Sequence, residues 1–364
     1  MSLQPLQVVA QPPTLADFIT VPHFVKGKWP WEAVYTSYVM QRSHAATEKC
    51  TFVFYTAGIG GTSLDDDVLG APPTDSAGCA IAFVTNTTAL DARWTAIHIQ
   101  PGSISSRVLS RVPKLLPHLF FGEQVAGAVY LDMKVILPPR LSLQEIVSST
   151  LTSCGATWAA MSHPWAPFTP LSDAHQSLAL HRSADPDAFQ AEIDSYSNDP
   201  QFMAAEQSHR NRLIDGLLVI RDLRRGTPGR AGARCQAAHA LNLAWWAGFA
   251  EGGADRDQLP FAYKLRKAAL GPCEDTLSPS ALRAFEASQG ATDVGCGVAC
   301  GQGFINIFGH SATCPQNMDE HILRAPFAST PPVWVCDLRW TRGAYTRALQ
   351  YRPPEHDERK SFPP

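Results

Sequence analysis

Ala126-Gly127-Ala128-Val129-Tyr130-Leu131 is a continuous small and apolar run that ends in Asp132-Met133-Lys134. Without polar alternation it reads as a strand covered on both faces, as in a parallel sheet. Strand alternation puts Asp132 and Lys134 on one face at its far end, where polar chemistry first meets a buried strand.

Upstream, 105–121 carries Val108, Leu109, Val112, Leu115, Leu116 and Leu119 at helical spacing, interrupted by Pro113 and Pro117, so a broken helix is expected. Trp94 to Ile99, Cys79 to Thr85 and Thr51 to Tyr55 are short apolar runs bounded by turn residues, hence three further strands. The earliest ends in Gly58-Ile59-Gly60-Gly61, a backbone-permissive loop. Downstream come a short helix at 142–150, a strand at 157–161 ending in Ser162-His163-Pro164, and a helical region at about 171–196. Next are a buried strand at 216–220 ending in Arg221-Asp222, an apolar helix Ala237 to Ala250 with Trp245-Trp246, and a helix Leu259 to Leu270 opened by Arg256-Asp257-Gln258. Strands alternating with helices predict an α/β fold with a doubly wound, mostly parallel sheet. Residues 1–45, Pro-rich and aperiodic, read as an arm; 46–270 as the main domain; 271–364 as a Cys/Gly/Pro-rich appendage with a solvated tail.

The ordered segments Tyr55-Thr56-Ala57, Arg111-Val112-Pro113-Lys114-Leu115-Leu116-Pro117-His118, Tyr130-Leu131-Asp132-Met133-Lys134, Ser162-His163-Pro164, Val219-Ile220-Arg221, Trp245-Trp246 and Arg256-Asp257-Gln258-Leu259-Pro260-Phe261 resemble the glycosyltransferase-like family of plant mucilage-related and turgor-regulation-defect proteins. The resemblance implies a GT-A-like fold and transfer of a sugar from a nucleotide-diphospho-sugar to a glycan or other hydroxyl acceptor. It further implies a role in polysaccharide biosynthesis in the secretory pathway or Golgi. On it, Tyr55, Thr56, Gly58, Lys114, Asp132, Lys134, Arg221 and Gln258 are expected at the donor, Asp257, Arg256 and His163 at the chemistry, and Trp245 and Trp246 at the acceptor.

A diphosphate leaving group needs its developing charge stabilised by a metal ion or by Lys/Arg, and the acceptor hydroxyl needs a base. Asp132 is the expected ligand for Mn²⁺ or Mg²⁺, although Lys134 stands where a second carboxylate would help. The bland alternative is an Asp132–Lys134 ion pair at a strand end. Arg107, Arg111 and Lys114 could face phosphates or form a solvated basic face. Asp257, at a helix start, could orient or deprotonate a hydroxyl or simply begin the helix. Trp245 and Trp246 could stack a sugar or fill a core. Cys296, Cys300, His310 and Cys314 have the ligand types of a structural zinc site, with disulfides or free thiols as alternatives. Two rival functions remain: a catalytically silent carbohydrate- or partner-binding protein, and a hydrolase using water as acceptor.

At 364 residues, 45% hydrophobic and 17% charged, the chain can bury one large or two modest cores. A net charge of −3 with no long basic run argues against a nucleic-acid partner, and no stretch approaches the ~20 apolar residues of a membrane span. Nine cysteines, most of them late in the chain, leave the redox compartment open.

Overall fold

The computed structural model describes residues 34–60, 71–76, 78–85, 90–133, 135–138, 140–152, 158–162, 169–181, 183–208, 211, 213–223, 232–252 and 256–270, and two later strands, 305–308 and 339–340. The strands are β1 Phe52–Gly58, β2 Ala80–Val84, β3 Thr95–His98, β4 Gly127–Leu131, β5 Val135–Ile136, β6 Trp158–Ser162, β7 Ile214–Asp222, β8 Ile305–Phe308 and β9 Arg339–Trp340. The helices are α1 Ser37–Ala46, α2 Ser106–Leu115, α3 Leu143–Val147, α4 Pro170–Ala179, α5 Pro186–Ser197, α6 Pro200–Gln207, α7 Gly232–Gly252 and α8 Gln258–Leu270.

Among the described residues, seven strands form the main sheet in the order β3-β2-β1-β4-β7-β6-β8. All run the same way except β7, which is antiparallel to both its neighbours. The α/β class and mostly parallel sheet expected from the apolar runs are therefore present. The chain lays down β1, β2 and β3 in one direction, then returns to place β4 on the other side of β1. In open α/β sheets, ligands bind outside the carboxyl ends of the strands that flank such a reversal. Here those ends are Gly58 to Gly60 and Leu131 to Asp132.

Alternation along the strands divides the core between two faces. One face presents Val53, Tyr55, Ile81, Phe83, Tyr130, Ala160 and Val219 to α2, α7 and α8, which contribute Leu109, Val112, Leu115, Trp245, Trp246, Phe249 and Phe261. Trp158 stacks on Phe261 at 5.0 Å between centroids, locking β6 to α8. The other face presents Phe54, Ala82, Val129, Leu131, Ala159 and Ile220 to Leu143, Ile146, Val147 and Leu151. A third cluster, including Phe189, Ile193, Tyr196, Phe202 and Leu259, ties α4, α5 and α6 to α8.

Three expectations change. The helical region at 171–196 is two helices, separated by His181 at φ 51° and by the Asp185-capped start of α5, and a third helix, α6, follows. Residues 34–46 are not an arm, because they carry α1 and a buried Tyr35. Pro113 has no N–H to offer the carbonyl four residues back, and the Tyr35 hydroxyl donates to that Leu109 oxygen at 2.8 Å instead. An early tyrosine thus satisfies the carbonyl that a proline leaves exposed in α2. The stretch beyond 270 is likewise more than an appendage: β8 extends the main sheet beside β6, and β9 pairs with β5. The zinc-type constellation and the solvated tail lie outside the described residues.

Cys50 and Cys79 form a disulfide with Cα atoms 5.8 Å apart. They immediately precede β1 and β2, whose parallel register sets Phe54 opposite Ala80, so the bond clamps the amino ends of two adjacent strands.

Candidate functional site

Helix α2 bridges the sheet's reversal, and a glycine marks each end. At its start, Ser106 lies against Gly60, at φ +78°, where an added Cβ would fall 2.0 Å from the Ser106 Oγ. Near its end, the Lys114 ammonium lies over Gly216 on β7, where an added Cβ would fall 2.3 Å from Nζ. Because β7 is reversed, its amino end meets the carboxyl end of β4, and the Asp132 amide donates to the Leu217 carbonyl at 2.7 Å. Elements distant in sequence therefore converge beside Asp132.

Asp257, at the mouth of α8, reaches back into this convergence. Its Oδ2 accepts from Lys114 Nζ at 2.5 Å, and its Oδ1 lies 3.1 Å from Arg111 Nε. Arg111 and Lys114 are three residues apart on α2, which puts both on one face toward the carboxylate. The Trp245 indole N–H donates to the Asp257 carbonyl at 2.5 Å, so the main chain at this position is held as firmly as the side chain. Lys114 also sits 5.7 Å from the Tyr130 ring and 5.6 Å from the Trp245 ring, where cation–π attraction supplements a single ionic contact.

The electrostatics follow from one carboxylate serving two cations. Burial pushes the Asp257 carboxyl up, but Arg111 and Lys114 together pull it well below the usual carboxylate range. Burial pulls Lys114 down, and its share of Asp257 only partly restores it. Arg111, less enclosed, is held firmly charged: burial opposes its charge, and Asp257 together with Tyr130 and Asp132 more than offsets it. Asp132, half-buried at the rim, acts on both cations through space.

Neighbouring contacts brace this centre. Arg256 donates to Asp173 on α4 at 3.2 Å and to the Gln258 side chain at 3.0 Å, while Gln258 donates to the Ile214 carbonyl at 3.2 Å. These bonds tie the mouth of α8 to α4 and to β7.

The residues expected from the sequence therefore separate. Lys114, Asp132 and Asp257 come together, with Arg256 and Gln258 alongside. Gly58 ends β1 at the reversal. Tyr55, Thr56 and Arg221 are fully buried and do not open onto the strand ends. Arg221 lies opposite Ala128 near the amino end of β4 and donates to Asn242 at 2.8 Å and to the Tyr55 hydroxyl at 3.2 Å. Burial, only partly offset by Arg221, pushes the Tyr55 phenol up to about 12. Trp245 and Trp246 are core: Trp245 packs on Trp158 and Phe261, Trp246 tilts against Phe249, and neither ring has a free face for a sugar. Their place on the sheet-facing stripe of α7 is the physical reason. His163 and Lys134 lie outside the described residues.

Asp173 and Gly216 went unnoticed in the sequence, because an acid within a helix and a glycine at the start of a strand are common and their partners lie far away in the chain. The described residues gather no set of three His, Cys, Asp or Glu side chains. Asp132 would supply a Mg²⁺ ion one of its roughly six oxygen ligands.

Gly216 makes the arrangement testable. A methyl group there displaces Lys114 from Asp257 while Tyr130 and Trp245 limit where the ammonium can go. Gly216→Ala is expected to cost about 1–3 kcal/mol, as overpacking does, measured by urea denaturation. Wild-type stability in that variant would show that Lys114 moves aside freely.

No protein-family model matches the chain, and no curated protein matches it. No helix among the described residues is long and apolar enough to cross a membrane.

Proposed function

We propose that the chain is a GT-A-like glycosyltransferase that takes a sugar from a nucleotide-diphospho-sugar and passes it to a glycan or other hydroxyl acceptor. The observation that carries this reading is the pair of cations, Arg111 and Lys114, held beside Asp132 where the strand order reverses. A diphosphate leaving group requires positive charge at such a place. The six codirectional strands with one reversed strand are consistent with the proposed fold type. The Cys50–Cys79 disulfide fits maturation in an oxidising compartment such as the secretory pathway.

In this scheme Asp132 faces the donor, alone or with a divalent ion, and Lys114 and Arg111 offset charge on the departing diphosphate. Arg256 and Gln258 hold the mouth of α8 in place. A second reading, donor binding without turnover, is favoured by one observation: both Asp257 oxygens are engaged by cations, which leaves the most buried carboxylate of the site a poor base.

The test is a thermal-shift screen against nucleotides and nucleotide sugars, with and without Mn²⁺, followed by an assay of donor consumption. A ligand at about 100 times its dissociation constant adds roughly 2.7 kcal/mol of stability. One nucleotide sugar should shift the melting temperature, and Asp132→Ala should abolish the shift. Turnover of that donor supports transfer; binding without turnover supports the second reading; no shift at millimolar ligand rejects both.

A further inference from the structure

We infer that Arg111, backed by Lys114 and Asp257, is the contact point of an oxyanion site, and that Asp257 is the site's built-in counter-ion rather than its base. The assignment rests on the transferase reading only in naming the oxyanion as a diphosphate; the need for an anion comes from the charges themselves. Two cations face one buried carboxylate, each taking one of its oxygens. The second carboxylate acting on them, Asp132, lies at the half-exposed rim, where water weakens it. Among the described residues, Arg111 and Lys114 thus outnumber the one carboxylate buried with them, in a place where unbalanced charge is costly.

The two cations differ in reach. The Lys114 side chain is 4% exposed and enclosed by Tyr130, Trp245 and Gly216, whereas that of Arg111 is 20% exposed. One terminal nitrogen of Arg111 donates to Ser110 Oγ at 3.1 Å, and Nε faces Asp257. The Ser110 hydrogen bond and the ion pair to Asp257 orient the guanidinium on a side chain that keeps 20% of its surface exposed. A planar guanidinium oriented on a partly exposed side chain is suited to gripping phosphate oxygens through paired hydrogen bonds. Asp257 stands on the side away from solvent, with both oxygens occupied. Its role is to keep the two cations together and charged until the ligand arrives, which makes it a positioning residue.

Inorganic pyrophosphate is the probe, titrated calorimetrically into the whole chain at constant ionic strength. The wild type is expected to bind it, and Arg111→Gln to bind it about tenfold more weakly or worse, as loss of a charge-assisted contact predicts. Arg111→Lys, which keeps the charge but not the fork, should fall between them. Arg93→Gln, at the exposed Asp91 pair before β3, should match the wild type. Circular dichroism of each variant confirms that it is folded. Wild-type affinity in a folded Arg111→Gln chain, or no binding by the wild type at millimolar pyrophosphate, overturns the inference. Arg111-dependent pyrophosphate binding without binding of any nucleotide sugar upholds the oxyanion site and removes the transferase reading. Nucleotide-sugar binding that is indifferent to Arg111→Gln does the reverse. If a donor is turned over, an acid limb in the pH profile of kcat/KM that Asp257→Asn removes would make Asp257 a base and refute its counter-ion role.

Discussion

Asp257→Asn is expected to lower stability by about 3–5 kcal/mol, the usual cost of removing one partner of a buried ion pair. The amide keeps the size and shape of the carboxyl group, so the loss comes from charge: Arg111 and Lys114 are left facing each other in a poorly solvated space. Lys114→Met is the informative comparison. It leaves Asp257 with Arg111 as a simple pair and fills the lysine channel with an apolar chain, so it should cost markedly less. If the two variants were equally destabilised, Asp257 would not be acting as the shared counter-ion. Acid sharpens the test. Asp257 is depressed in the folded state, so its contribution is complete above the unfolded value of about 3.9 and is lost as the pH falls through the lower folded value. The stability gap between wild type and Asp257→Asn should therefore be constant near neutrality and narrow below about pH 4. A gap that stayed constant down to strongly acidic pH would contradict the depressed carboxyl.

Removing the Cys50–Cys79 bond, by Cys50→Ala with Cys79→Ala, is the second large loss expected. The bond closes a loop with a sequence separation of 29, for which chain-entropy arguments give about 3.5 kcal/mol. Replacing both cysteines avoids leaving one buried thiol unmatched. The measurement is the shift of the denaturant midpoint, together with the intact mass before and after reduction in denaturant. An unchanged midpoint would mean that the register between β1 and β2 alone holds the two strand ends.

Much of the sheet was legible because each central strand is covered on both faces and so reads as an uninterrupted apolar run. Gly127 to Leu131 and Ala80 to Val84 are buried at every position. Helix α2 was legible as a broken helix from Pro113 and Pro117. Strand direction was not, because an apolar run carries no arrow; the reversal of β7 depends on partners far from it in the chain. The pairing of Cys50 with Cys79 was hidden for a related reason. A signal did exist, since each cysteine stands just before a strand, but it becomes readable only once those strands are known to be parallel neighbours.

The site was legible by residue type and less so by role. Lys114, Asp132 and Asp257 were singled out one at a time, yet their convergence depends on Gly216 leaving room for an ammonium, which local sequence does not reveal. Arg221 and the Trp pair misled because a basic residue at a strand end and paired aromatics on a helix look the same in sequence whether they face a ligand or the core. What decides is the register that sets Arg221 opposite Ala128 and the packing of Trp245 on Trp158 and Phe261.

The reversed strand also governs when the molecule can assemble. β6 is synthesised well before either of its sheet neighbours, since its partners among the described strands are β7 and β8. A chain emerging from the ribosome can join β1 to β2 and β4, and β3 to β2, early, but β6 meets its first described partner only when β7 has been made and has turned back along β4. The stacking partner of Trp158 and the counter-ion of the α2 cations arrive later still, with α8. The covering of β6 by Phe261 and the neutralisation of the buried charges thus belong to the same late step, and that long-range closure is expected to limit the rate of folding.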